Sequence, residues 1–434
     1  NGRKTVGGLA LARRTAGMTP WRELLHAFGR IGVLSFGGPA AQIAFMHREL
    51  VDDRKWLSEQ EYLRALSFCM LLPGPEAMQL ATYAGWRQRG IPGGLLAGLL
   101  FVLPGAVVIL ALAGLYVGYG QVPLLQGLFY GIKACVVVIV VEALLRVSKR
   151  ALKGAPHRAI AVAAFIAIFF FAVPFPAIVV AAALLGAMVL KTSATAPVAS
   201  GRVRHPALPA ILIIGLALWA APMLAAWAAG SEFLVTLGLF FSKLAVVTFG
   251  GAYAVLAYMT QEVVQDYRWV TTAQMMDALG LAETTPGPLI LVTEFVGFLA
   301  GHAQGGWALA LAAAGMTLWV TFVPCFLWIF AFAPYVEWIA GRPRLASALQ
   351  GVTAAVVGVI ANLAVWFAMH LFFGAFETVR AGPLILPAPD PARFDWTAGL
   401  IAVLAGVALL RLHWNMILVL VLSALAGLLA VQFG

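Results

Sequence analysis

Apolar residues run through this chain in long blocks broken at fixed places by glycine and proline. Blocks suited to helical spans cover residues 24–46, 59–86, 91–119 and 123–147. A block at 158–190 is split by Pro174-Phe175-Pro176, so each part reaches only about 24 Å and reads as a short or tilted helix. A lone block at 207–228 follows, then 232–259, 272–298, 306–332 and 345–373, and a closing pair at 397–411 and 414–433. The pattern predicts an all-α polytopic membrane protein of about 13 transmembrane helices, some of them broken.

The pattern also repeats. Residues 28–56 and 241–269 align without a gap, with 12 of 29 positions identical, including both Phe-Gly-Gly triplets and both Asp-x-x-Trp endings. Seventeen residues beyond each Trp stands Pro-Gly-Pro, at Pro73, Gly74, Pro75 and at Pro286, Gly287, Pro288. The expected organisation is a tail over 1–22, a first repeat over 23–191, a basic loop with a connecting span over 192–231, and a second repeat over 232–434.

Composition sets the solvent. Of 434 residues, 62% are apolar and 11% charged, where a soluble domain carries about 25% charged residues. Lipid must therefore cover most of the surface. The net charge of +10 comes from short loops and sets orientation rather than nucleic-acid binding. Arg3, Lys4, Arg13, Arg14 and Arg22 put the N-terminus in the cytoplasm, and the polar, basic start does not read as a cleavable signal peptide. Stepping span by span, Arg87, Arg89, Arg146, Lys149, Arg150, Lys191, Arg202 and Arg204 fall inside, and after the lone span so do Arg342, Arg344 and Arg411. The two repeats then enter from opposite sides, as inverted-topology repeats with the C-terminus outside. A parallel duplication would not fit the arginines of the second half. The long loop at 374–396 falls outside. Cys69, Cys135 and Cys325 stand singly, the seven His are scattered, and no phosphate loop or metal motif is present. The chain does not read as an enzyme, and no cofactor is expected.

The breakers carry the candidate chemistry. Phe36-Gly37-Gly38 and Phe249-Gly250-Gly251 weaken a helix at mid-span, and Pro-Gly-Pro cannot continue one. Each second span should therefore be two half-helices with an unwound turn between them. Free amides at the start of the second half-helix, with the helix dipole behind them, make an anion site. A structural kink is the alternative for any single break; repetition in both halves favours a binding site. Arg30 and Lys243 align, each six residues before its Phe-Gly-Gly phenylalanine, and would attract an anion. Snorkelling to headgroups is the other reading of Arg30. Lys133 is either a third attracting cation or half of a buried ion pair. Glu76, Glu283 and Glu294 flank the Pro-Gly-Pro turns as proton-coupling candidates. Ser35, Gln42, Gln79, Thr248, Tyr253 and Thr293 are neutral hydrogen-bonding groups near the breaks. Each of these also suits a helix–helix hydrogen bond. A stretch such as Gly94–Gly98 suits close helix pairing, which would make a homodimer.

The joined motifs SFGGPAAQIAFMHRELVDDRKWLSEQEY, LLPGPEAMQLATYAGW and FVLPG, followed by TFGGAYAVLAYM and TTPGPLILVTEFVGF, resemble the chromate ion transporter family of the long-chain, two-domain type. The resemblance spans essentially the whole chain. It implies export of chromate across the bacterial inner membrane, with resistance as the result and sulfate as the look-alike oxyanion. It also implies a proton gradient or membrane potential as driving force, and two homologous halves of opposite orientation. It marks Phe36, Gly37, Gly38, Pro73, Gly74, Pro75, Glu76 and Gln79, and in the second half Phe249, Gly250, Gly251, Pro286, Gly287 and Pro288. The second half departs where Ala252 stands for Pro39 and Leu289 for Glu76, so an asymmetric site is expected. A sulfate transporter and an anion channel remain the rival readings.

Overall fold

A computed structural model describes residues 19–120, 122–190, 207–247, 249, 252–336, 342–374 and 376–433. The first half opens with α1 (Trp21–Leu34), α2 (Gly38–His47) and a π-helical turn at Arg48–Asp53. Then come α3 (Glu59–Cys69), α4 (Glu76–Tyr119), α5 (Pro123–Ala151), α6 (Ala155–Phe171) and α7 (Phe175–Val189). The connecting helix α8 is Leu208–Ala228. The second half repeats the opening with α9 (Glu232–Val247), α10 (Ala252–Thr260), a π-helical turn at Gln261–Asp266 and α11 (Thr272–Thr284). A 3-10 turn at Leu289–Leu291 leads into α12 (Val292–Phe332), and α13 is Pro343–Phe373. The chain closes with α14 (Trp396–Gly406), a π-helical turn at Val407–Arg411 and α15 (Met416–Phe433).

The repeat extends to single residues. Ser58 and Glu61 form a capping box at the start of α3, and Thr271 and Gln274 form its counterpart at α11. Lys55 and Arg268, at aligned positions, both adopt positive φ (54° and 52°). Such a backbone is rare outside glycine, so the shared strain marks one conformation built twice.

The limbs around each break do not run on through the membrane. They fold back. Arg30 Nη1 lies 2.5 Å from Glu49 Oε1, the Phe28 and Trp56 rings are 6.1 Å apart, and His26 bonds Arg54 at 3.2 Å. α1 and α2 are thus antiparallel, with Phe-Gly-Gly at the tip. Beside them, Phe68 of α3 meets Tyr83 of α4 at 6.4 Å and Glu61 bonds Arg87 at 3.1 Å, which places Pro-Gly-Pro at the tip of a second hairpin. Both hairpins share a base, where Thr19 bonds Gln88 and Arg89. The second half follows suit: Phe233 meets Trp269 at 6.0 Å, and α11 packs on the start of α12.

This corrects the expectation that residues 24–46, 59–86, 232–259 and 272–298 cross the membrane. Limbs of 9–16 residues reach about 14–24 Å, short of a hydrocarbon core about 30 Å thick. A broken span and a re-entrant hairpin need the same breaker, so the residue pattern does not tell them apart. Two crossings and two hairpins also return the chain to the same side, so the loop charges are unaffected. Among the described residues, six helices are long and apolar enough to cross, and three shorter apolar helices join them. The most apolar stretch of α8 has no residue buried within the chain, as suits a helix facing lipid.

α4 and α12 are each two arms. Arg89 and Gly90 leave helical geometry, as do Gly305 and Gly306. Gly90 (φ 63°) and Gly306 (φ 72°) occupy the left-handed region that a side chain disfavours. The chain reverses there, so Gly85 faces Gly93 and Ala97, and Gly301 faces Leu309 and Ala313. The long arms of α4 and α12 then pack antiparallel, with Gly94 against Phe330, Gly98 against Phe326 and Gly114 against Trp307. The hairpin bases of the two halves therefore lie at opposite ends of these arms.

The outer helices are exchanged between halves. α6 and α7 pack on α13, and α14 and α15 pack on α5. Glycines permit the approach: Gly186 meets Gly351, Gly358 meets Ala161, and Gly131 meets Ser423 and Gly427. The loop after α13 holds an antiparallel ladder, β1 (Glu377–Ala381) with β2 (Leu384–Ala388), which span prediction missed because its strands are short and lie outside the apolar blocks. A Cβ on Gly351 would stand 2.8 Å from the Gly186 Cα and overlap the Ala182 carbonyl. Gly351→Leu should therefore lower stability by about 1–3 kcal/mol, read as an earlier thermal unfolding of the detergent-solubilised protein. An unaltered melting curve would contradict the exchanged packing.

Candidate functional site

At the first Phe-Gly-Gly tip, the Phe36 amide donates to Leu34 O at 3.0 Å. At the second, the Phe249 amide donates to Val247 O at 3.0 Å. Gly37 (φ 85°), Gly38 (φ 75°), Gly74 (φ 117°) and Gly287 (φ 88°) turn the four-hairpin assembly at its tips. These turns hold their backbone groups by bonding one another. The Gly287 amide donates to Ser35 O at 3.0 Å, and Gln42 Nε2 donates to Gly287 O at 2.6 Å and Ser35 O at 3.4 Å. Thus the second Pro-Gly-Pro tip is docked on the first Phe-Gly-Gly tip. At the first Pro-Gly-Pro tip, Gln79 Nε2 donates to Pro73 O at 2.6 Å, and Gly74 lies against Cys325 of the long α12 arm.

Pro39, Gln42, Pro75, Glu76, Ala77, Ala252, Pro288 and Leu289 enclose a small cavity between the tips. These are the opening residues of α2, α4 and α10 and of the turn before α12. Four helical N-termini, two from each half, converge on one point. The dipoles of these helix starts place partial positive charge there, which would favour an anion. The cavity offers about 10 Å³ to the centre of a water molecule, room for about one water. A tetrahedral oxyanion enters only if the tips separate.

Of the residues expected at the site, Gln42, Pro75, Glu76 and Pro288 line this cavity. Pro39 and Ala252, the mismatched pair, both line the cavity, and so do Glu76 and Leu289. Ser35 Oγ, Gln42 Oε1 and Gln79 Oε1 are buried without a hydrogen-bond partner among the described residues. Glu283 is buried and accepts from Tyr253 Oη at 2.6 Å. Glu294 is buried, with Oε2 unpartnered among the described residues. Thr293 caps the Ile290 carbonyl at 2.8 Å, a structural bond within its own turn. Pro286 and Pro73 complete their turns behind the cavity wall, Phe36 is exposed, and Phe249 is half-buried. Thr248, Gly250 and Gly251 lie outside the described residues.

Three cations stand elsewhere. Arg30 is half-exposed and paired with Glu49 within its hairpin. Lys243 is exposed, with Nζ 5.4 Å from the Tyr258 ring centroid. Lys133 pairs with Asp277 at 3.7 Å, which decides between its two readings in favour of the ion pair. Asp277 was passed over in the sequence, although a single acid inside the apolar run MMDALGLA is itself a signal. A second, larger cavity of about 390 Å³ opens beneath the β-ladder, at the far end of α10. Thr260, Gln261, Gln265, Asn362, His370 and Arg380 line it, and no acidic residue does.

The family model for chromate transporters matches residues 22–187 and 235–428. The chain belongs to the chromate transporter family. It is 32% identical over 347 residues to the chromate transport protein of Cupriavidus metallidurans, covering 78% of this chain and 80% of that protein. It is 33% identical over 351 residues to the chromate transport protein of Pseudomonas aeruginosa, covering 78% and 79%. An archaeal relative described as an uncharacterized transporter, from Methanocaldococcus jannaschii, is 25% identical over 410 residues, or 93% of each chain. No solved structure matches. Family membership and the apolar helices make this a multi-pass membrane transporter and not an enzyme.

Gln42 is the side chain that ties the two halves at the tips. Gln42→Leu removes a buried donor worth about 1–3 kcal/mol from two carbonyls. It should cut anion flux in proteoliposomes at least severalfold while the protein still elutes as a monodisperse peak. Full flux in this variant would sink the tip-docking account.

Proposed function

We propose that this protein is a secondary active transporter that exports chromate across the bacterial inner membrane by alternating access, and so confers chromate resistance. The observation that carries this reading is the convergence of four helical N-termini on one closed cavity between the two sets of hairpin bases. The repeats, 23–191 and 232–434, then sit in the membrane in inverted orientation, N-terminus cytoplasmic and C-terminus periplasmic. The arginine distribution and the antiparallel long arms both support that placement. The cavity beneath the β-ladder lies on the periplasmic side and serves as the exit, its neutral donors and Arg380 suiting an oxyanion.

The energetics favour export. A dianion leaving a cell that is negative inside gains about 4.6 kcal/mol per 100 mV, enough for a gradient on the order of a thousandfold. Proton coupling adds control. Glu76 lines the cavity, and its carboxylate would repel a bound dianion, so anion loading and protonation of Glu76 favour each other. Glu283 and Glu294 are further carriers for such a proton. A channel is the weaker reading, because tips docked by direct hydrogen bonds seal the path. Sulfate is a tetrahedral dianion with the same acceptors and is a competing cargo. Arg30 and Lys243, held on the hairpin limbs, act on the rate of hairpin movement rather than on the bound anion.

Proteoliposomes test the assignment. Chromate should accumulate against its gradient when a potassium-diffusion potential is imposed, with sulfate competing. R30A and K243A should slow the flux, and unchanged flux in both would remove their role. Failure to accumulate chromate under any imposed gradient would overturn export as an active process. E76Q should lower the apparent KM for chromate at neutral and alkaline pH and flatten its pH dependence, because a repelling charge is gone. A KM that still varies with pH as in the wild type would absolve Glu76.

A further inference from the structure

The anion site leaves one buried charged cluster unused. Asp277 sits on α11, about 7.5 Å from its start, with its side chain almost wholly buried. Two groups face its carboxylate. Tyr116 of the long α4 arm donates to Oδ2 at 2.9 Å, and Lys133 of α5 stands 3.7 Å from Oδ1. Oδ1 has no hydrogen-bond partner among the described residues. The Tyr116 ring also meets the Phe129 and Phe295 rings, both apolar.

This pair is not explained by stability. Replacing a buried ion pair with apolar residues of similar size is often neutral or stabilising, and a charge inside a membrane segment marks function by default. The geometry is also loose, an ion pair beyond hydrogen-bond distance with one carboxylate oxygen free. Its position gives it leverage. α11 is the limb that carries the second Pro-Gly-Pro tip, and Pro286 lies nine residues beyond Asp277, about 13 Å along the limb. α5 belongs to the frame, packed by α13, α14 and α15. Between Asp277 and the tip, Gly280 rests flush on Ile132 and Val136 of α5. A glycine contact of this kind is smooth, so the ion pair is the directional tie between limb and frame.

We propose that Asp277 is a proton-binding site, separate from the anion site, at which a proton and the Lys133 ammonium compete for one carboxylate. Protonation from the periplasmic side releases the second Pro-Gly-Pro hairpin from α5. The step balances simply. A proton from water adds to Oδ1, the Lys133 ion pair breaks, and the ammonium, whose side chain is 22% exposed, turns toward water. Loss of the proton restores the pair. Glu283 is six residues further along the same limb, buried and bonded to Tyr253. The inference deepens the reading of the chain as an ion-driven exporter and rests on it.

Two measurements test it. In proteoliposomes, wild-type chromate flux should rise severalfold when the compartment facing the β-ladder is acidified. D277N should bring the ratio of flux with and without acidification to unity, and the exchanged pair K133D/D277K should restore the response. A full pH response in D277N, or none in the wild type, overturns the proposal while leaving chromate transport intact. Backbone hydrogen exchange over residues 272–291 reads the latch without any flux. D277N should exchange faster than wild type at alkaline pH and equally at acid pH; equal exchange at both overturns the proposal even if chromate proves not to be the cargo. Should D277N fail to fold, K133D/D277K decides alone, and a folded, transporting protein without pH response is the negative result.

Discussion

Backbone amides and carbonyls that leave a helix inside a membrane have no water to turn to, and the centre of this protein is organised around that constraint. Four interruptions lie at the tips of hairpins. The structure satisfies the exposed groups by setting tip against tip, with Gly287 bonded to Ser35 and Gln42 bridging both. Among the tips lies one small cavity, lined by Gln42 and Glu76. The same polarity that makes a broken helix costly in lipid makes it useful to an anion. The cavity is what remains after the tips have satisfied each other as far as they can.

The two halves share strain, caps and hairpins down to Lys55 and Arg268, yet they do not contribute equally. Glu76 and its counterpart Leu289 both line the cavity, as do Pro39 and Ala252. The Lys133–Asp277 tie joins a helix of the first half to a limb of the second. Repeated parts thus build the cavity and its walls, and the unmatched residues make the two halves unequal.

Much of this was legible in the residues. The repeat, the breakers and the placing of Ser35, Gln42, Glu76 and Gln79 at the tips all follow from pattern and local chemistry. The fold-back of the limbs does not, because Phe-Gly-Gly and Pro-Gly-Pro interrupt a crossing helix and turn a hairpin equally well. Arg30 was read from its depth along the chain, whereas its partner Glu49 becomes a neighbour only once the hairpin closes. The exchange of outer helices rests on pairs such as Gly186 with Gly351, whose separation in the chain carries no local signal.

That exchange has a consequence for how such a protein comes to exist. α5 is covered by the last two helices of the other half, and α13 by the last two of the first. A polypeptide ending after α7 would leave α5 bare and carry a loose helical pair with no partner. A second copy lying upside down beside it would supply both missing contacts. Each half is thus incomplete without the outer helices of the other, and the fused chain supplies both sets at once.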